Sequence, residues 1–184
     1  MDLKYLVKIT PNYRIIVLDT ETTGLGPEDE ILQFSAIYFN WKEALNIYIK
    51  PSHTDQWDEA MAINHITPET VAKCPKMSKA KKKIEALFRK AEIVVGYNLD
   101  FDLRMLKQNG VKVPAENEIR YIDLMKPFAQ IYGEWSNYFD DYKWQKLKTC
   151  ARYYGYYDQN WHDRLADARA TLYCFKKMVQ KRQI

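Results

Sequence analysis

Two hydrophobic periods divide the chain. Arg14 to Thr20 (RIIVLDT) is a β-branched run with no polar alternation, the pattern of a central strand buried on both faces. Gly24, Gly26 and Pro27 break it. Ile31 to Phe39 (ILQFSAIYF) and Ala44 to Lys50 (ALNIYIK) follow after short connectors, so antiparallel pairing of the three as a β-meander is the economical solution. From Thr67 the period turns helical. Thr67-Pro68 is an N-cap followed by an N1 proline, and Ser78 is expected to cap a helix that turns Ile84, Leu87, Phe88 and Ala91 inward and its KAKKK stretch to water. Glu92 to Tyr97 and Ile119 to Ile122 read as two further strands, separated by a helix over 102–109 that Gly110 ends. Helices are expected from about Lys126, over 144–154, and over 164–181 with Leu165, Ala168, Leu172, Phe175 and Val179 as the last stripe. Three strands in a meander, then helices alternating with two strands, make a mixed five-stranded α/β sheet flanked by helices.

Composition narrows the class. The chain has 184 residues, 47% of them apolar, which fits one domain over residues 1–184 with a single core. No apolar stretch approaches the roughly 20 residues needed to span a bilayer, and MDLKYLVKIT lacks the apolar core of a secretory signal. No membrane partner and a cytoplasmic location are the expectations. Cys74, Cys150 and Cys174 form no CxxC pair and are odd in number, which argues for thiols over disulfides or a zinc ribbon. Lys and Arg number 28 against 24 Asp and Glu, a net charge of +4, too small to announce a nucleic-acid binder by itself.

The chemistry sits in carboxylates. In Asp19-Thr20-Glu21 two acids stand two residues apart at the end of the most apolar strand, and period-2 geometry puts both on one side of the sheet. Two adjacent carboxylates withdrawn from water need a cation. Hard oxygen ligands suit Mg²⁺ or Mn²⁺. The triplet alone is equally compatible with two acids pointing to solvent.

The longer string Val17-Leu18-Asp19-Thr20-Glu21-Thr22-Thr23-Gly24-Leu25 resembles the first motif of the DEDDh 3′-to-5′ exonucleases, the family that includes the proofreading epsilon subunit of bacterial replicative polymerase. Tyr97-Asn98-Leu99-Asp100-Phe101-Asp102 resembles the second and His162-Asp163-Arg164-Leu165-Ala166-Asp167 the third, H-x4-D, in the family's order. The resemblance extends from about Ile15 to Val179. It implies a ribonuclease H-like fold, with Asp19, Glu21, Asp102 and Asp167 as ligands of two divalent cations about 4 Å apart and His162 as general base. It also implies stepwise release of 5′-mononucleotides. Within the second motif Asp100 is the rival acid, expected as an N-cap if the helix starts after it. Tyr154 and Asp158 fit the Y-x3-D pattern of the sister subgroup, but Asp167 leads into a periodic helix that would hold a ligand more firmly, and Tyr154 reads as core packing.

Family positions for the terminal nucleotide fall on Thr22, Leu25 and Phe101, with packing as the alternative for the two apolar ones. Asn64-His65-Ile66-Thr67 resembles the family's H-G-I-T segment, with Asn64 in the histidine place and His65 in the glycine place, a departure that bears on any substrate contact by His65. Between Gln130 and Trp161 lie eleven aromatic residues, which either pack the last helices or stack on single-stranded bases, Trp135 and Tyr138 first among them. The expected partner is single-stranded or 3′-ended nucleic acid, DNA ahead of RNA, and a DNA polymerase is a further candidate. An exoribonuclease, and below it a catalytically silent end-binding module, are the alternatives, since the phosphodiester chemistry does not choose the sugar.

Overall fold

The structure is a computed structural model that describes residues 14–157, 165–181 and 184. A five-stranded sheet runs through its middle. In chain order the strands are β1 (Ile15–Thr22), β2 (Ile31–Tyr38), β3 (Glu43–Tyr48), β4 (Ile93–Gly96) and β5 (Arg120–Asp123), and in space β3-β2-β1-β4-β5. The meander pairs antiparallel as expected, and β4 and β5 join β1 in parallel. Parallel joining requires crossovers. Helix α3 (Met77–Phe88) lies within the crossover from β3 to β4, and α4 (Leu99–Gln108) connects β4 to β5.

β1 is buried on both faces because each face carries its own core. Ile15 and Val17 pack with Ile93, Val95, Leu172 and Phe175, where α7 (Ala166–Gln180) covers the sheet. Ile16 and Leu18 face the other way, toward Phe34, Ile84, Leu103 and Leu106 of β2, α3 and α4. One strand thus feeds two layers, and its alternation decides which layer each later residue enters.

Several elements differ from the sequence expectation. α3 is capped by Lys76 with no side-chain bond, and Ser78 sits inside the helix; burial of its stripe outweighs the cap. Thr67 does cap α2 (Pro68–Val71), accepting from Thr70 N at 3.3 Å. α4 starts at Leu99, three residues before the expected Asp102, because Asn98 turns into the left-handed region at φ 63° and releases the chain into the helix early. Asp100 is therefore inside the first turn, 2.7 Å from Lys126 Nζ, and is not the cap. Helix α1 (Asp58–Asn64) was not expected; it has no buried residue and hence no apolar stripe to reveal it. α5 (Met125–Tyr132) starts near Lys126 as expected; a short unexpected hairpin, β6 (Trp135–Ser136) and β7 (Asp141–Tyr142), follows it, and α6 (Leu147–Tyr153) starts later than Trp144 because the chain is still extended at Lys146. Gly110 and Gly155, both at positive φ, follow α4 and α6 as expected. Cys150 and Cys174 are buried, Cys74 is half-buried, and all three are thiols. Tyr154 belongs to the core on the α7 side, as expected, while Asp158 lies outside the described residues. No helix among the described residues is long and apolar enough to cross a membrane.

Candidate active site

The alternation of β1 sorts the acids. Asp19 and Glu21 continue the face of Ile15 and Val17, toward α7, whose first turn holds Asp167. One oxygen from each of these three carboxylates lies within 4.8 Å of the others. Helix N-termini carry partial positive charge, which favours acids there. Thr20, between the two strand acids, points the other way and meets Asp102 of α4. Its backbone N–H and its hydroxyl both donate to Asp102 Oδ1, at 2.9 and 2.6 Å. The four acids expected from the sequence thus meet at one end of β1, three as a cluster and the fourth fixed beside them by Thr20.

The site is electrostatically strained. Burial pushes the Asp19 carboxyl well above its usual range, and the charges of Asp102, Asp167 and Glu21 push it further. Glu21 rises to about 7 through burial and the nearby Asp167, against the bond from Asn64. Asp102 rises to about 7, again chiefly by burial, although both Thr20 bonds hold it down. Burial also raises Asp167. Carboxylates that raise one another in this way, all hard oxygen donors, fit a divalent cation.

Beside Glu21 opens a cleft of about 770 Å³ lined by Thr22, Leu25, Asn64 and Phe101, among others. Its near wall is the turn after β1. Asp29 shapes this turn, accepting from Thr23 Oγ1 at 2.8 Å and from Gly26 N at 2.7 Å. A Cβ on Gly24 would stand 2.6 Å from that carboxylate, so a larger residue there would displace Asp29 from the turn. α4 holds it from below: Arg104 donates to the Leu25 carbonyl at 3.1 Å and Gln108 to the Asp29 carbonyl at 2.8 Å. The result is a leucine side chain held 76% exposed at the lip of the cleft. Packing, the alternative reading for Leu25, does not describe it. Phe101 of α4 joins the same lining, half-buried, with the Arg104 guanidinium 5.2 Å from its ring centroid.

The far wall is the unexpected helix α1, anchored where Trp57 Nε1 donates to the Ile66 carbonyl at 2.7 Å. Asn64 ends α1, donates to the Thr22 carbonyl at 3.1 Å and bonds Glu21. His65 adopts φ 58°, the left-handed conformation that glycine takes most readily, and lies exposed outside the cleft lining. The structure thus separates the pair: Asn64 faces the acids and His65 makes the turn. Thr20 and Asn64 were not assigned as site residues from the sequence. For Asn64 a signal existed, its place in the H-G-I-T-like segment; for Thr20 there was none beyond its position between two acids. His162 lies outside the described residues.

A family model described as exonuclease, of the ribonuclease T type, matches residues 16–175. The chain belongs to this exonuclease family. The exonuclease is 34% identical over 165 residues to the uncharacterised exonuclease CP81 of Escherichia phage 186, covering 85% of this chain and 84% of the phage protein. It is 27% identical over 172 residues to the PolC-type DNA polymerase III of Caldanaerobacter subterraneus, a match that covers 91% of the exonuclease but 12% of the polymerase. Among solved structures, E. coli exonuclease I in complex with a dA16 oligonucleotide has a TM-score of 0.74 at 25% identity, covering 94% of this chain and 42% of that one. The exonuclease therefore spans most of the phage relative and less than half of the other two. With the strand order β3-β2-β1-β4-β5, these likenesses make it a DEDDh-type exonuclease of the ribonuclease H-like superfamily, a phosphodiester hydrolase.

Proposed function

We propose that residues 1–184 form a single exonuclease domain that removes nucleotides one at a time from DNA 3′ ends and releases 5′-mononucleotides, with two divalent cations, Mg²⁺ or Mn²⁺, as cofactors. The observation that carries this reading is the convergence of Asp19, Glu21 and Asp167 within 4.8 Å beside the Leu25–Phe101 cleft. Asp19, Glu21, Asp102 and Asp167 would hold the cations. When bound, the cations supply Lewis-acid activation of water and neutralise charge that builds on the phosphate. His162 is assigned as the base that accepts the proton of the attacking water. Leu25 and Phe101 offer apolar surface to the terminal nucleotide, next to Thr22. His65 supports this surface by turning the chain so that Asn64 reaches Thr22 and Glu21.

DNA is favoured because the solved relative is exonuclease I bound to a DNA oligonucleotide and the PolC-type relative is a DNA polymerase. The second likeness also makes a DNA polymerase the first partner class to test. The decisive experiment compares 5′-labelled and 3′-labelled single strands of DNA and matched RNA, with Mg²⁺ or Mn²⁺. Immediate release of labelled mononucleotide from the 3′-labelled DNA, with progressive shortening of the 5′-labelled strand, is expected. Mononucleotide released first from the 5′ label would overturn the polarity, and faster RNA turnover would move the substrate to RNA. His162→Ala should cost about 10² to 10⁴ in rate while metal binding persists, whereas Asp19→Ala should abolish turnover.

A further inference from the structure

Residues 133–146 leave the sheet between α5 and α6 and fold back on themselves. Trp135 pairs with Tyr142 and Ser136 with Asp141 across the hairpin. Its tip turns rings outward: Tyr138 is 88% exposed and Phe139 74%, and Trp144 just beyond is 64% exposed. Adjacent large rings left in water mark a surface that meets something. They are braced edge-to-face, Trp135 on Tyr142 at 5.1 Å and Tyr138 on Phe139 at 4.7 Å between centroids, a geometry that leaves flat ring faces open. Beside them lies a groove of about 520 Å³ lined by Phe139, Asp141, Tyr142, Lys143 and Trp144.

The hairpin is moored to the active-site end of the sheet. Tyr97, which follows β4, donates its hydroxyl to the Gln145 carbonyl at 2.7 Å. β4 runs parallel to β1, so Tyr97 stands at the same sheet end as Asp19 and Glu21. It packs with the α7-side core, the face those acids share. The charges nearby are of both signs. Lys143 and Gln145 are taken up by the hairpin acid Glu134 at 2.8 and 3.0 Å, while Lys146 and Lys148 are exposed just beyond Trp144. Asp141 accepts from Tyr142 N at 2.7 Å, and it and Asp140 are both exposed at the turn.

We propose that this hairpin is a stacking surface for the single-stranded nucleotides that lie upstream of the 3′ end held in the cleft, with Tyr138, Phe139 and Trp144 against bases and Lys146 and Lys148, beyond Trp144, on the phosphate side. A strand of flat bases matches a row of open rings moored at the active-site end of the sheet. The proposal rests on the exonuclease reading above, and it extends the substrate contact from the terminal nucleotide to a strand several nucleotides long.

The test uses the triple variant Tyr138→Ala, Phe139→Ala, Trp144→Ala, all three exposed and none in the acid cluster. Binding of fluorescein-labelled oligothymidylates of about 12 and about 3 nucleotides is read by anisotropy in Ca²⁺. Turnover of both is read in Mg²⁺. The variant should lose at least about 5-fold in affinity for the longer strand, since one base–ring stack is worth roughly 5- to 150-fold. Affinity and turnover for the short strand should stay within about twofold, which also certifies the fold. Long-strand affinity within about twofold of wild type would overturn the proposal and leave the rings to a protein partner. Because binding is read without turnover, it decides the matter even if the polarity or products proposed for the exonuclease prove wrong.

Discussion

Thr20 shows how much one side chain can carry at the residue scale. Two donors from this residue converge on a single oxygen of Asp102, and they oppose the burial that lifts that carboxyl to about 7. A hydrogen bond to a charged group is worth about 1.5–3 kcal/mol. Thr20→Val keeps shape and β-propensity but deletes the hydroxyl, so Asp102 should hold its proton to higher pH. We expect kcat/KM at pH 7 to fall about 10-fold or more, with the loss shrinking as pH rises because hydroxide competes the proton away. A pH–rate profile checks this; an unshifted acidic limb would show that Thr20 does not tune Asp102. Nothing in DTE reveals the role, because a threonine between two strand acids reads as an ordinary β-former and its partner lies 82 residues away. The acids themselves were legible through the longer motif strings around them, since the DTE triplet alone reads equally as two acids turned to solvent.

Among the elements, α4 holds the most of the site together, and its start is set by a residue that belongs to another strand. Asp123, the last residue of β5, accepts from Asn98 N and from Met125 N through one oxygen, both at 2.9 Å. It thereby fixes the left-handed Asn98 that launches α4 and, with it, Phe101 and Asp102. Its other oxygen is buried without a hydrogen-bond partner among the described residues. Asp123→Ala leaves two N–H groups short of a partner and should cost about 1–3 kcal/mol, a Tm drop of roughly 3–10 °C at this chain length. Metal affinity should weaken with it as α4 loosens. Asp123→Asn keeps the accepting oxygen and should recover most of both; equal damage from Asn and Ala would sink this account. The strands that matter most were readable because β1 opens on, and β4 is, a continuous apolar run, while β2 is apolar except at Gln33 and Ser35. α1 and the β6–β7 hairpin were not. DEAMAIN buries nothing, and two-residue strands are too short to show a period. Both unread elements flank the acids: α1 walls the cleft, and the hairpin is moored at the same end of the sheet.

For the whole molecule, the acid cluster couples stability to pH and to metal. Asp19, Glu21, Asp102 and Asp167 all hold protons more tightly folded than unfolded, with Glu21 and Asp102 shifted to about 7. The folded state therefore binds more protons than the unfolded chain between roughly pH 4, where free carboxyls titrate, and pH 7. Their contribution is fully present below the unfolded values and is lost as pH climbs through the folded ones. Glu30 has the opposite sign. Burial would raise it, but three backbone N–H donors, Ser52, His53 and Thr54, hold it below its usual value, so its contribution is lost only toward the acid end. Between about pH 4.5 and pH 7 the cluster governs. The metal-free exonuclease should melt at a lower temperature at pH 7 than at pH 5, by an amount on the order of several degrees. Mg²⁺ or Mn²⁺ binds the ionised acids of the folded state alone, so millimolar cation should raise Tm little at pH 5 and strongly at pH 7. Asp19→Asn removes one mutually repelling charge and should flatten the metal-free slope and shrink the metal effect together. Thermal melts at a series of pH values, with chelator and with each cation, decide the point. A metal-free Tm that stays level or rises from pH 5 to pH 7 would mean that the four carboxylates do not share one buried site, and the two-cation assignment would fall with it.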